Sequence, residues 1–356
     1  GRGYLPNNPP ASRLGEISKK LSQEVKEADS TRPVTAALAG VVMSNTTSYP
    51  KNIDLVGYNY QEYPYAEDHN NYPDRIIYGS ENNKSPEAWM AVDTSKNVFG
   101  QFLWTGFDFM GEAGRWPTRS SGAGIMDLAG FPKTDYWVRQ TLWLDRPVIY
   151  LVASRVQGGQ QGRGMRGAKP SWNWNNGDSI RVTCITNAEE AELMLNGRSL
   201  GKKSKKDTTQ RGLFWIVPYE AGKISVKGFK GGKSIGNFQL STPDKPAMLT
   251  AVVDRKKYRE GYKEVAQIEV FVQDSKGNAV YEANQEVTVD INGPAILLAL
   301  ESGDLASHED YRSSKRKAFN GRLLAYVQST GETGEVKITF SASGLKQVVT
   351  TISSGR

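Results

Sequence analysis

The stretch Arg75-Ile-Ile-Tyr-Gly-Ser-Glu81-Asn82 decides the fold. It opens as an almost unbroken apolar run and stops on a carboxylate. A strand that is apolar on both faces belongs inside a parallel sheet that is covered on either side. The neighbouring runs at 34–38, 53–60 and 98–109 share this character. Helical spacing lies between them. Leu14, Ile17, Leu21, Val25 and Ala28 form one amphipathic face, with Ser12 as the expected cap and Asp29-Ser30-Thr31-Arg32-Pro33 as the stop. Ser85-Pro86-Glu87 opens a second helix, with Ser as cap, Pro at the first helical position, and Trp89 and Met90 expected to pack. Strand and helix in alternation predict a parallel sheet with helical cover.

From about Arg146 the period changes. The runs at 148–152, 180–185, 191–195, 213–217 and 224–229 are short and strand-like. Asn196-Gly197 between two of them is a hairpin turn, because both residues tolerate positive φ. These strands predict an antiparallel sandwich. Pro243-Asp244-Lys245-Pro246 reads as a linker. The runs at 251–254, 266–273, 287–291, 323–328 and 336–342 predict a second sandwich, with Asp274-Ser275-Lys276-Gly277-Asn278 as a turn. The expected domains are therefore 1–146, 147–244 and 245–356.

A chain of 356 residues exceeds what one core usually organises. No apolar run approaches the ~20 residues that cross a bilayer, so no membrane span is expected. Cys184 is the only cysteine, which excludes an internal disulfide. Its place in the alternating run Ile180-Val182-Cys184 predicts a buried strand residue, not a reactive thiol. Two histidines, His69 and His308, argue against a histidine-rich metal site. The net charge of +7 raises the question of nucleic acid. The basic residues are scattered, however, and the densest runs (Lys202, Lys203, Lys205, Lys206 and the segment 156–169) read as solvated loops. Gly162-Arg163-Gly164 lacks the interleaved aromatics of a nucleic-acid-binding tail. No nucleic-acid partner is expected.

Chemistry concentrates between Asp54 and Lys133. Barrel enzymes place their reactive groups at the C-terminal ends of parallel strands. Three such ends carry Tyr58-Asn59-Tyr60, Glu81-Asn82, and Trp104 followed by Asp108. A carboxylate, a tyrosine and a tryptophan in one pocket suit sugar chemistry. The carboxylate attacks the anomeric carbon, the tyrosine orients it, and the indole faces a pyranose ring. Taken singly, each has a plainer reading. Glu81 is open to being a solvated carboxylate at a strand end, Trp104 to being core, and Asp108 to pairing with a neighbouring base.

Four separated motifs fall in order: Asp54-Leu-Val-Gly-Tyr-Asn-Tyr60, Arg75-Ile-Ile-Tyr-Gly-Ser-Glu81-Asn82, Gly100-Gln-Phe-Leu-Trp104-Thr-Gly-Phe-Asp108 and Gly124-Ile-Met-Asp127-Leu-Ala-Gly-Phe-Pro-Lys133. Together with Arg32-Pro33-Val34-Thr35 they resemble glycoside hydrolase family 2. Ser171-Trp-Asn-Trp174, Thr186-Asn187 and Leu193-Met-Leu-Asn-Gly197 resemble that family's first added sandwich. Asp304 and Phe319-Asn320-Gly321 resemble an Ig-like domain of the invasin or intimin kind. The resemblance implies strands 5–8 of a (β/α)8 TIM barrel, followed by two Ig-like antiparallel β-sandwiches. It implies Glu81 as nucleophile and Tyr60 as the residue that orients it. Trp104, Asn59, Asn82, Asp108, Glu112 and Trp116 follow as substrate-binding residues, and Arg115 accompanies the last two in shaping the aglycone side.

A retaining mechanism needs a second carboxyl roughly 5 Å away, to protonate the leaving oxygen. In this family it follows an asparagine at the end of barrel strand 4, and no Asn-Glu pair stands in that place. Glu16, on the first helix, is a poor substitute. The opening Gly1-Arg-Gly-Tyr-Leu-Pro reads as the loop just after that strand. The acid/base residue is therefore expected upstream of Gly1, in an N-terminal part of the same enzyme. The family's β-glucuronidases carry an Asn-x-Lys motif before a Gly-Ile pair, where this chain has Ser121-Gly122-Ala123. Without that lysine a uronic acid is disfavoured, and the resemblance of the accessory domains to those of the family's β-galactosidases implies hydrolysis of terminal β-D-galactosides in oligo- or polysaccharides. The double displacement implies no cofactor or metal. Export to the periplasm or cell surface fits such a substrate. A competing expectation is a non-catalytic carbohydrate-binding or cell-surface module, motivated by Trp172 and Trp174, although both lie near a strand start, where a buried core position is the favoured reading.

Overall fold

The computed structural model describes residues 9–156, 165, 167–207 and 212–355. The opening Gly1-Arg-Gly-Tyr-Leu-Pro and the run Gly162-Arg163-Gly164 lie outside the described residues. The backbone divides into two compact units, Gly1–Gly106 and Phe107–Arg356.

The first unit is a four-stranded parallel sheet with helices between its strands. The strands are β1 (Thr35–Leu38), β2 (Leu55–Asn59), β3 (Ile77–Asn82) and β4 (Val98–Leu103), and they lie in sequence order. The helices are α1 (Ser12–Ala28), α2 (Val41–Ser44), α3 (Tyr65–Asn71) and α4 (Pro86–Asp93). Leu38, Val41, Val56, Tyr58, Tyr65, Ile77, Val92 and Val98 form the core between the layers. The sequence expects this order of elements, but three details differ. Ser12 is already inside α1, whose N-cap is Ala11 with no side-chain hydrogen bond. Ser85 does cap α4, accepting from the Ala88 N–H at 3.1 Å, but Ala88 and Val92 are its buried residues while Met90 lies exposed. The fourth strand stops at Leu103, not at Phe109.

In the second unit, β5 (Phe109–Met110) and β6 (Ser120–Ser121) form a small antiparallel ladder, followed by α5 (Thr134–Trp143). Two pairs of antiparallel-rich sheets come next. The first pair joins a three-stranded sheet (Leu213–Pro218, Ser179–Thr186, Ile149–Arg155) to a four-stranded one (Arg198–Ser204, Glu190–Leu195, Lys223–Lys230, Lys233–Ser241). Both contribute to one core around Trp172, Val182, Cys184, Leu193, Trp215 and Val226. Asn196 and Gly197 both take positive φ in the turn expected there. The second pair joins a four-stranded sheet (Met248–Val253, Val265–Gln273, Arg322–Ser329, Ala295–Glu301) to a five-stranded one (Lys257–Arg259, Val348–Gly355, Gly334–Ala342, Glu286–Asn292, Lys315–Lys317). Its separate core includes Tyr258, Ile268, Val270, Leu323, Ile338 and Phe340.

One surface reading changes, and for Trp172 the favoured core reading holds. The basic run at 202–206 begins on the strand Arg198–Ser204, not in a loop: Lys202 pairs with Glu190 and Lys203 sits 5.0 Å from the Phe214 ring. Trp172 is fully buried and donates from Nε1 to the Glu220 carbonyl at 3.0 Å, so it is core and not an exposed platform. Cys184 is fully buried, as its alternating setting predicts, and burial pushes its thiol up to about 12. Among the described residues no helix is long and apolar enough to cross a membrane.

Candidate active site at the edge of the parallel sheet

Parallel strands bring like ends together. The C-terminal ends of β2, β3 and β4 therefore fall on one edge of the sheet, carrying Asn59, Glu81-Asn82 and Leu103-Trp104. The register sets Asn59 beside Glu81 and Asn82 beside Leu103, with shifts at Tyr58/Asn59 and between Gly79 and Asn82. Such irregularities re-aim side chains where a ladder ends.

The Asn59 amide donates from Nδ2 to Glu81 Oε2 at 3.1 Å. This contact joins a residue expected to touch substrate to the expected nucleophile. Tyr60 reaches Glu81 through the backbone, its N–H donating to the Glu81 carbonyl at 2.7 Å. Tyr60 has φ of 52°, a left-handed turn that lifts the chain off the sheet immediately after Asn59. Tyr60 is 39% exposed and Trp104 37%, so both residues present surface at this edge. The Trp104 N–H donates to the Asn82 carbonyl at 2.9 Å, and the Trp104–Thr105 peptide is cis.

Asn82, expected among the substrate ligands, is instead fully buried. Its Nδ2 donates to Glu62 Oε1 at 2.7 Å. Its side chain fills the space over Gly79, where a Cβ would stand 1.9 Å from Asn82 Oδ1. A glycine at 79 is thus what allows Asn82 to fold inward beside Glu81. Glu62 escaped the sequence reading because its partner is reached only when the turn after β2 folds back.

A buried polar network supports β2 from below. The Tyr58 hydroxyl donates to Asp68 Oδ2 at 2.6 Å, and Arg75 Nη1 donates to the Tyr58 hydroxyl and to Asn45 Oδ1, both at 2.9 Å. Asn45 in turn donates to both Asp68 oxygens at 3.0 Å. Burial first, and then Asp68, push the Tyr58 phenol up. This network ties α3 and the approach to β3 onto the strand that ends at Asn59.

The remaining predicted residues belong to the second unit. Asp108 is buried, and its Oδ1 accepts from Gly124 N–H at 2.9 Å and from Lys133 Nζ at 2.7 Å. Lys133 Nζ also donates to the Gly122 carbonyl at 2.9 Å. Asp108 is therefore engaged with a neighbouring base, the plainer of its two sequence readings. Glu112 and Trp116 lie in the loop closed by β5 and β6, Glu112 at φ of 42° and Trp116 81% exposed.

A half-buried carboxylate held by an amide, beside a tyrosine and an indole, is an arrangement for carbohydrate chemistry. The chain belongs to glycoside hydrolase family 2. Residues 249–351 match the family model described as glycoside hydrolase family 2 C-terminal domain 5, and residues 177–236 match a domain of unknown function, DUF4982. The curated beta-galactosidase BoGH2A of Bacteroides ovatus is 31% identical over 387 residues, covering 95% of this chain and 43% of that protein. A beta-glucuronidase of Formosa agariphila is 25% identical over 252 residues, covering 68% of this chain and 23% of that protein. Among solved structures, a glycosyl hydrolase family 2 member from Bacteroides cellulosilyticus superposes with a TM-score of 0.88 at 28% identity, over 98% of this chain and 48% of that one. The chain thus spans less than half the length of the relatives it matches.

Proposed function

We propose that the chain is the C-terminal part of a retaining β-glycosidase that hydrolyses terminal β-D-galactosides by double displacement. The observation that carries this reading is the Asn59–Glu81 pair at the strand-end edge, flanked by Tyr60 and Trp104. Glu81 attacks the anomeric carbon and forms the glycosyl-enzyme. Asn59 and the Tyr60 turn fix the carboxylate, and the indole faces the sugar ring. The acid/base carboxyl, required at roughly 5 Å from Glu81, belongs to a part of the enzyme upstream of Gly1. The parallel sheet supplies strands 5–8 of a (β/α)8 barrel within domain 1–146. Domains 147–244 and 245–356 are Ig-like sandwiches, a division supported by their separate cores. Secretion to the periplasm or cell surface belongs to the same reading.

Two observations favour a galactoside over a glucuronide. The relative named a beta-galactosidase matches more of this chain at higher identity than the one named a beta-glucuronidase. The cation nearest Ser121-Gly122-Ala123, Lys133, is already engaged by Asp108 and the Gly122 carbonyl. The test uses the full-length enzyme and a 2-fluoro-galactosyl fluoride. Mass spectrometry of the digested protein should find the trapped sugar on Glu81; an adduct on any other residue sinks the assignment. Aryl β-galactosides should be cleaved with a higher kcat/KM than the matching glucuronides.

A further inference from the structure

Trp116 is the most exposed large apolar side chain among the described residues, yet it is firmly held. Its ring lies against the His308 imidazole at a tilt of 40°, with centroids 4.6 Å apart. His308 Nε2 stands 2.8 Å from the Pro117 carbonyl oxygen. A carbonyl can only accept, so Nε2 carries the hydrogen, and the imidazole is locked behind the indole. The rest of the loop is pinned by the same segment of the last sandwich. The Arg119 N–H donates to the Leu305 carbonyl at 3.0 Å, and the Arg119 guanidinium lies 5.2 Å from the centroid of the Tyr311 ring. At the base, the Tyr311 hydroxyl reaches Met110 Sδ at 3.8 Å. A turn from Thr118 N–H to the Arg115 carbonyl closes the tip.

An indole propped on one side by a tilted imidazole and otherwise open is an apolar platform with restricted freedom to collapse. The axial C–H groups of a β-linked hexopyranose match such a face. Glu112 and Arg115, exposed on the same loop, offer an acceptor and donors to its hydroxyls. We infer that Trp116, braced by His308, is a binding platform for one pyranose unit of an oligosaccharide, and that the segment 305–311 of the terminal sandwich sets its geometry. The choice of galactose-based probes rests on the glycosidase reading; the platform itself does not require Glu81.

The test uses the full-length protein carrying Glu81→Gln, with galactose and a β-linked galactotriose as probes in isothermal titration calorimetry. The trisaccharide should bind about tenfold more tightly than the monosaccharide, the scale of one aromatic contact. Trp116→Ala should erase that gain. His308→Ala should remove most of it, and His308→Gln, which keeps a donor for the Pro117 carbonyl, should restore it. Equal affinity for the two sugars, an unchanged gain in His308→Ala, or a Trp116 indole shielded from acrylamide quenching in the full-length protein each overturns the inference. Aryl β-galactoside turnover by the wild-type enzyme reads the glycosidase proposal separately, so either can fail alone.

Discussion

At the scale of single residues, Asn59 decides how the Glu81 carboxylate is presented. A hydrogen bond to a charged acceptor is worth about 1.5–3 kcal/mol when it is removed. Asn59→Ala in the full-length enzyme should therefore slow glycosylation by roughly tenfold to a hundredfold, with little change in KM. Pre-steady-state release of an aryl leaving group measures this directly, and an unchanged burst rate would show that Asn59 does not orient Glu81. Gly79 carries a second prediction. A Cβ there would stand 1.9 Å from Asn82 Oδ1, so Gly79→Ala must expel the Asn82 side chain from its pocket. Overpacking of this kind costs about 1–3 kcal/mol, visible as a lowered unfolding midpoint. The strand-end positions of Glu81 and Tyr60 were legible in the sequence because each closes an apolar run, whereas the end of the strand before Trp104 was not, since the apolar run continues past it to Phe109. The inward turn of Asn82 was not legible either, because nothing local distinguishes an amide facing a ligand from one facing Glu62.

At the scale of elements, the sequence was most legible where burial alternates. Glu190–Leu195 announces itself this way, while Ser179–Thr186, buried on both faces along nearly its whole length, is read from its apolar positions Ile180, Val182 and Cys184. The strands Arg198–Ser204 and Lys233–Ser241 do not, because they are the outer strands of their sheet and bury no residue fully. An edge strand rich in lysine carries the composition of a loop. The tie between α3 and β2 was equally hidden, since Asn45, Asp68 and Arg75 meet only in the folded chain. Arg75→Ala leaves the Asp68 carboxylate buried without its cation and should destabilise the first unit by about 3–5 kcal/mol in denaturant titration. Asp274, in its turn, gives a prediction in pH. Burial pushes its carboxyl up, but the Asn278 amide and the N–H groups of Asp244, Asn278 and Lys276 outweigh this and hold it down at about 2. A lowered folded-state value gives stability that is present above the unfolded value of 3.8 and is lost as pH falls toward 2. The unfolding temperature of the terminal sandwich should drop across that window, and Asp274→Ala should flatten the drop while lowering stability at neutral pH. Parallel acid profiles for the two proteins would contradict this.

At the scale of the whole molecule, one nucleophile does not make a retaining glycosidase. On the proposed double displacement, which draws its acid/base carboxyl from outside this chain, the chain alone should leave aryl β-galactosides intact, whereas the full-length protein should cleave them. Turnover by the isolated chain at a comparable rate would relocate the acid/base residue within these 356 residues. The densest basic run within the net charge of +7 begins on the outer strand Arg198–Ser204, where Lys202 pairs with Glu190. The buried Cys184 has a practical consequence. Its thiol is sealed in a core strand and held protonated far above neutral pH, so maleimides cannot reach it while the fold is closed. The chain is in effect a blank for site-directed labelling: a cysteine placed on any exposed loop becomes the sole attachment point for a fluorophore or spin probe. Left unmodified, Cys184 is a built-in clock, since alkylation of that one sulfur records each opening of the sandwich around it.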